Sequence, residues 1–360
     1  MNMDWNDKAI ATRPGEELPI SRLEACLLDH LPNTSGPLTI KQFPGGYSNL
    51  TYLISMGDTE YVLRRPPVGA KVKSGHDMGR EYRILSGLKS VDHKVPTPFY
   101  YTEDLTIIGS PFYVMERVRG VILRHGMPQD MHPKADKMKK ISTAWLDTLI
   151  RLHQVDPQQA GLGDLGRPQG YVDRQISGWG KRYYQAKTDD FSKIDFIIKW
   201  LNEHQMTSRH ISLIHNDFKY DNLILNPDDW TKVSAVLDWE MATLGDPLMD
   251  LGTSLGYWVN PSDPDEMKDL QFSPTHLAGN LTREEIIHQY ELKTGRIMEN
   301  PVFYYVYGLL KIAVIIQQIY YRYQQGLTQD PRFASLPTAM KQISLIAEQA
   351  IKKNKIDNLI

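Results

Sequence analysis

This sequence predicts an α+β chain in two lobes, and three observations lead there. The first third of its 360 residues reads as short strands joined by tight turns. The remainder reads as helices of amphipathic spacing, and no Gly/Ser linker, repeat or low-complexity tract divides the two. Strands gathered first and helices after, without alternation, make α+β rather than α/β. The expected lobes are 1–116, with a leading helix, an antiparallel sheet of five strands and one further helix, and a mostly helical 117–360.

Residues 18–31 carry apolar side chains at 20, 23, 27, 28 and 31, the spacing of a helix with one buried face. Strand-like runs follow at Leu38–Phe43, Leu50–Ser55 and Tyr61–Arg64. They are separated by the turns Pro44–Asn49 and Gly57-Asp58, and Pro66-Pro67 stops the third. Asp77–Leu88 reads as a helix with Ile84, Leu85 and Leu88 on one face, and strands recur near 99–101 and 112–115. Beyond Met138 helices dominate: one through positions 141–152, then 174–187, 191–205, 283–294, 301–325 and 337–353. Three short strands, Ser212–Ile214, Leu223–Leu225 and Val233–Leu237, interrupt them.

Composition excludes several classes. Forty-one basic against 43 acidic residues give a net charge of −2, which implies neither a nucleic acid nor an anionic membrane as partner. A single cysteine, Cys26, rules out an intrachain disulfide and a multi-cysteine zinc site, and fits a cytoplasmic location. Met1–Trp5 shows no basic region leading into an apolar run, so no secretory signal is expected. The most apolar segment, Val302–Ile316, is short for a membrane span and contains Lys311; it is expected to be a buried helix.

The richest stretch is Ile214-His215-Asn216-Asp217-Phe218-Lys219-Tyr220-Asp221-Asn222, followed by Val236-Leu237-Asp238. It sets an aspartate, an asparagine and a second aspartate at offsets of 5 and 16. Phosphoryl transfer from ATP needs one carboxylate to orient the attacking hydroxyl and accept its proton, and amide and carboxylate oxygens to hold Mg²⁺. Mg²⁺ takes hard oxygen ligands, usually only one or two protein carboxylates, and leaves the remainder to phosphate and water. The spacing H-x-D-x-K-x-x-N is that of a kinase catalytic loop.

On these residues the chain resembles the aminoglycoside phosphotransferase-like (choline kinase-like) small-molecule kinases, relatives of the protein kinases. Tyr61–Pro67, Arg80–Leu85, Leu237–Glu240, Gly245-Asp246-Pro247 and Asp250 make it most similar to the branch that also occurs fused to acyl-CoA dehydrogenases. The resemblance runs from about 38 to 325 and implies a bilobal protein-kinase-like fold. It implies Asp217 as catalytic base, Asn222 and Asp238 as magnesium ligands, and Glu81 as the helix acid paired with a strand cation. That cation is normally lysine and is Arg64 here; arginine is a planar fork where lysine is a point charge. Lys219 stands where protein kinases neutralise the transferred phosphoryl group, with a solvated surface lysine as the alternative. The Gly45-Gly46-Tyr47-Ser48-Asn49 turn is the candidate phosphate loop, because glycines let backbone N–H groups approach phosphate oxygens. Met115, Glu116 and Val118 are the candidate adenine contacts, with Val62 beside the ring.

Further candidates are weaker. His215 is expected to brace the loop, His153 to cap or pack a helix, and Asp246 to cap a helix start or face the acceptor. Lys71, Lys73 and His76 lie on a loop that is either solvated or folded over nucleotide. Trp179, Tyr183, Tyr257 and Trp258 flank the expected acceptor cleft. Segments 174–187 and 254–260 hold aromatic and basic residues and no acid. That favours a hydroxy acid or hydroxyacyl-CoA over an aminoglycoside. The expected partner is a small-molecule hydroxyl acceptor, with monomer and homodimer both open. Two rival readings stand: a nucleotide-binding regulator without catalysis, suggested by Arg64, and a protein kinase, which the short stretch between Asp238 and Asp250 disfavours.

Overall fold

The computed structural model describes residues 8–44, 49–67, 76–124, 127, 129–189, 191–270, 272–327 and 331–359. In chain order the elements are α1 (Ile20–His30), β1 (Leu38–Gln42), β2 (Leu50–Met56), β3 (Thr59–Arg65), α2 (Met78–Ser90), β4 (Pro98–Thr102), α3 (Leu105–Ile108) and β5 (Phe112–Glu116). Then come α4 (Ala135–His153), α5 (Tyr171–Ala186), α6 (Ser192–Glu203), β6 (Ser212–Ile214), β7 (Leu223–Leu225), β8 (Val233–Val236) and β9 (Thr243–Gly245). The chain closes with α7 (Pro247–Gly256), α8 (Asp265–Lys268), α9 (Arg283–Thr294), α10 (Pro301–Gln324) and α11 (Leu336–Lys353). The α+β expectation holds, and most helix bounds fall within three residues of those read from spacing; α4 begins six residues before the expected 141.

Two compact units form, and they are interleaved along the chain. One gathers Met1–Ile122, Pro157–Gly163 and Asn222–Ala242; the other gathers Leu123–Asp156, Asp164–Asp221 and Thr243–Ile360. The expected lobes were contiguous, with a single line drawn at 116. Pairing explains why 222–242 joins the first unit: Val121 forms a bridge with Leu225 of β7, and Lys94 O accepts from Val236 N of β8 at 2.8 Å. Gly120 permits this approach, since a Cβ there would lie 2.2 Å from Leu225 O.

In the first unit the sheet is antiparallel, in the order β1-β2-β3-β5-β4. Its strands alternate. Leu50, Tyr52, Ile54 and Met56 of β2 and Tyr61 and Leu63 of β3 pack with Leu23 and Leu27 of α1 in one core. Period-two alternation turns Val62 and Arg64 to the opposite face of β3. Asp77 caps α2 by accepting from Arg80 N at 2.9 Å. The buried stripe of α2 is Met78, Glu81, Ile84, Leu85 and Leu88, so helical period places an acid among apolar residues. A buried carboxylate is costly unless paired, and the first unit supplies its partner on β3.

In the second unit α10 is the central helix, packed by α5, α6, α7 and α11. It crosses α7 at glycines: a Cβ on Gly308 would lie 2.2 Å from Gly252 O, and one on Gly252 would lie 2.4 Å from Tyr304 O. At 24 residues α10 is long and apolar enough to cross a bilayer, longer than the apolar run suggested. Most of its apolar window, 83%, is buried inside the protein, as a core helix requires. β6 pairs with β9 and β7 with β8, so the loop between β6 and β7 joins two separate ladders and is not a hairpin turn.

Candidate active site

The metal and phosphate candidates fall in the first unit. Arg64 directs Nη1 to Glu81 Oε2 at 3.2 Å and Nη2 to Asp238 Oδ1 at 3.3 Å, with Glu240 Oε2 at 3.9 Å. Glu81 is 2% exposed and also accepts from the Tyr113 hydroxyl at 2.8 Å and from Asn49 Nδ2 at 3.1 Å. Tyr113 is the cross-strand partner of Arg64, so the β3–β5 register delivers both donors to one carboxylate. Burial works against the charged guanidinium of Arg64, but Glu81, Tyr113, Asp238 and Glu240 outweigh it and hold its pKa well above the ordinary value. Burial pushes the Glu81 carboxyl up, partly offset by Arg64.

Asn222 and Asp238 are brought together by β7 and β8. Leu223 pairs with Val236, and one step outward Leu237 N donates to Asn222 O at 2.8 Å. Asp238 then turns into the left-handed region, φ 66° and ψ 67°, an uncommon conformation for a non-glycine residue. Its side chain stays 35% exposed. The set suits Mg²⁺: the oxygens are hard, and three carboxylates on one guanidinium leave negative charge for a divalent cation to balance. Among the described residues no cluster of three or more His, Cys, Asp or Glu could cage a metal by itself. A cation that keeps phosphate and water in its shell needs no such cage.

Glu240 is the residue of this half that spacing did not single out, although it stands two positions from Asp238. It accepts from Asn49 Nδ2 at 2.9 Å, and Arg80 donates to its backbone carbonyl at 3.2 Å and to that of Ala242. Of the expected phosphate turn, Gly45, Gly46, Tyr47 and Ser48 lie outside the described residues, as do Lys71 and Lys73. Asn49 is buried, bridges Glu81 and Glu240, and its Oδ1 meets His76 Nδ1 at 3.0 Å. Met115 and Glu116 end β5, opposite Val62 and Tyr61. The Glu116 N–H donates to Thr97 O at 2.8 Å, so this donor is engaged within the protein. Its carboxylate is likewise held by Thr97, at 3.0 and 2.7 Å. Val118 packs with Ile122, Ile224, Ala235 and Leu237 in a small apolar cluster.

The base candidate falls in the second unit, on a loop held mainly through its backbone. Asp250, fully buried on α7, accepts from His215 N at 2.8 Å and Asn216 N at 2.7 Å. Behind it His153 Nε2 lies 3.1 Å from Asp250 Oδ2, and its Nδ1 lies 2.9 Å from the Tyr290 hydroxyl. Burial would raise the Asp250 carboxyl, but His153, His215 and the backbone donors bring it below its ordinary value. Asn216 sits at φ 67°, its Oδ1 accepts from Tyr171 at 3.0 Å, and its carbonyl accepts from Lys311 Nζ. His215 braces the loop as expected, its Nδ1 3.2 Å from Asp217 N.

Asp217 meets Lys219 Nζ at 2.9 Å. Burial opposes its charge, yet Lys219, Lys311 and His215 together lower its pKa, so it is a carboxylate at neutral pH. Lys219 is not a solvated surface lysine. Its ammonium lies 4.7 Å from the Tyr257 ring centre, and Asp217 raises its pKa against the pull of burial. Tyr257 hydrogen-bonds Asp217, and burial first and then Asp217 push its phenol far up. The other acceptor candidates are packed residues: Tyr183 is fully buried, and Trp258 donates Nε1 to Leu281 O at 2.8 Å. Trp179 donates to Gln175 and carries the Arg182 guanidinium 4.5 Å from its ring. Asp246 is a cap, accepting from Leu248 N at 2.7 Å. His153 is a link in a buried chain rather than a cap.

Lys311 was read only as a charge inside an apolar helix. Taking an ammonium out of water costs several kcal/mol, and one hydrogen bond to a charged group returns roughly 1.5–3 kcal/mol net. Burial lowers its pKa to about 8, against the pull of Asp217 and Asp250. Stability alone does not explain it. The available signal was the lysine itself, since an uncompensated charge on a core helix is rare.

This fold and these two residue sets define a small-molecule kinase. The phosphotransferase enzyme family matches residues 39–279, two thirds of the sequence, and the chain belongs to that family. It is 35% identical over 295 residues, 82% of its length, to mouse acyl-CoA dehydrogenase family member 10, of which it spans only 27%. A crystal structure from Ralstonia eutropha, of a protein classed as an aminoglycoside phosphotransferase, is 29% identical with a TM-score of 0.79. That match covers 94% of this chain and 99% of the other. A thermostable mutant of aminoglycoside phosphotransferase APH(4)-Ia, solved with AMP-PNP and hygromycin B, shares the fold at 16% identity and a TM-score of 0.58. There 91% of this chain and 98% of the other are covered.

Proposed function

We propose that this chain transfers the γ-phosphoryl group of ATP, with Mg²⁺, to the hydroxyl of a small molecule. A hydroxy acid or a hydroxyacyl-CoA is the favoured acceptor, ahead of an aminoglycoside. The observation that carries the reading is Asp217: an ionised carboxylate beside Lys219, on a loop pinned by Asp250. Positioning matters more than basicity here, because the transition state for phosphoryl transfer is loose. Mg²⁺, when bound, would neutralise the triphosphate and fix its geometry.

Asn222 and Asp238 would hold that ion. Arg64, kept cationic and aimed by Glu81, would meet phosphate oxygens. Asp217 would orient the acceptor hydroxyl and take its proton as the new O–P bond forms and the bond to the ADP oxygen breaks. Lys219 would offset charge on the moving phosphoryl group. The lack of acids in 174–187 and 254–260 supports a neutral or anionic acceptor, since several ammonium groups would need acids there.

The test is ADP release, with and without Mg²⁺, across sugars, amino alcohols, hydroxy acids, hydroxyacyl-CoAs and aminoglycosides, with Asp217→Asn as the blank. Turnover with hydroxy acids or hydroxyacyl-CoAs is expected. Turnover confined to aminoglycosides would overturn the acceptor class. ATP-dependent thermal stabilisation with no Mg²⁺-dependent release in any arm would make the chain a nucleotide-binding regulator.

A further inference from the structure

We propose that Lys311 is a positioning residue: its ammonium, carried on the core helix α10, pins the carbonyl of Asn216 and so sets the direction in which Asp217 meets the acceptor. The inference rests on the phosphotransfer reading for its kinetic consequence and on geometry alone for its structural one.

Three polar groups of Asn216 are engaged. Its N–H goes to Asp250 at 2.7 Å, its Oδ1 receives the Tyr171 hydroxyl at 3.0 Å, and its carbonyl receives Lys311 Nζ. Asn216 also sits in the left-handed region at φ 67°, a conformation that persists in a non-glycine residue when its surroundings over-determine it. Asp250 and Tyr171 hold two of these groups from α7 and α5, and Lys311 closes the third side. The peptide it grips is the one that leads into Asp217, so its orientation sets where the carboxylate starts.

The charges facing this ammonium are Asp217 on the loop and Asp250 on α7, with Lys219 on the loop and Arg182 on α5 opposing. The Trp179 ring of α5 lies 5.6 Å away. Burial leaves the Lys311 pKa at about 8, so this charge would be lost within the range where enzymes are assayed. A loosened loop and a less supported Asp217 carboxylate would follow.

Two variants test it. Lys311→Met keeps the unbranched stem, one atom shorter and without charge, and Lys311→Arg keeps the charge at higher pH. Lys311→Met is expected to fold with a melting temperature no lower than wild type. Its kcat for ADP release should fall about 10–100-fold, on the scale of a misplaced reacting group, with the KM for ATP unchanged. Wild-type kcat should decline above about pH 8, a limb that Lys311→Arg moves to higher pH. An unaltered kcat in folded Lys311→Met, or the same alkaline limb in Lys311→Arg, would overturn the proposal. Amide exchange reads the loop without any acceptor: the His215 and Asn216 N–H groups should exchange faster in Lys311→Met. Absence of ADP release from wild type would sink the kinase reading, and exchange would then decide this one: unchanged protection in Lys311→Met counts against it.

Discussion

The two sets of candidate residues are held by opposite means. Around Arg64 the holding is done by side-chain charge: one guanidinium shared among Glu81, Asp238 and Glu240, with Asp238 still a third exposed. Around Asp217 it is done by backbone: the N–H groups of two consecutive residues locked on one fully buried carboxylate, and the next carbonyl on a buried ammonium. The difference suits the task proposed for each set. A metal and phosphate site must exchange partners each turnover, so its charges are satisfied by groups that a ligand can replace. A base must not drift, because an ångström of misplacement costs far more than a weak hydrogen bond returns.

The largest effect that would sharpen this contrast is at Asp217. Asp217→Asn should lower kcat on the order of 10²–10⁴-fold while nucleotide affinity, followed by calorimetry, stays near wild type. Next is Asp250→Ala, which strips the clamp and leaves His153 and two buried N–H groups without their acceptor. Loss of one partner from a buried pair predicts about 3–5 kcal/mol of destabilisation, measured by denaturant titration, together with a fall in kcat. If Asp250→Ala proved as stable as wild type, the backbone-held description of this half would be wrong.

Arg64→Lys is expected to do least. A lysine keeps the charge and one of the contacts that the fork now makes, so a loss of about 1 kcal/mol, read as a several-fold higher KM for ATP at unchanged kcat, is the outcome. A collapse of kcat in that variant would show that the charge-held half is as rigid as the other.

Lys311 belongs to the same comparison. Its folded pKa of about 8 lies below the ordinary 10.5, so the unfolded chain binds more protons between those values. By linkage, stability rises with pH across that window, and below it the burial penalty is fully present, about 3 kcal/mol at neutral pH. The residue is retained at a cost in stability, which fits a role in orientation.

Much of this was legible in order along the chain. Alternation in Leu50–Met56, the apolar stripe that carries Glu81 with Ile84, Leu85 and Leu88, and the D…N…D spacing each follow from local period or offset. The short elements were harder. β9, three residues from Thr243 to Gly245, has no period of its own and exists because β6 needs a partner. Glu240 carries part of the resemblance but no role legible in sequence, because its partner Asn49 is 191 positions away. The Glu116 N–H is taken by Thr97, a partner that no local pattern announces.

By itself, then, the sequence determined the strand-then-helix order and the offsets of the oxygen-bearing residues, because those depend on residue type and near spacing, while the cation facing Glu81 came from the family resemblance. Tertiary structure alone decided that 222–242 would join the unit that holds the sheet, that Asp250 would hold the loop's backbone, and that Lys311 would reach Asn216. Those outcomes rest on contacts between residues far apart in the chain, where burial and the satisfaction of backbone polar groups set partners that no local pattern encodes.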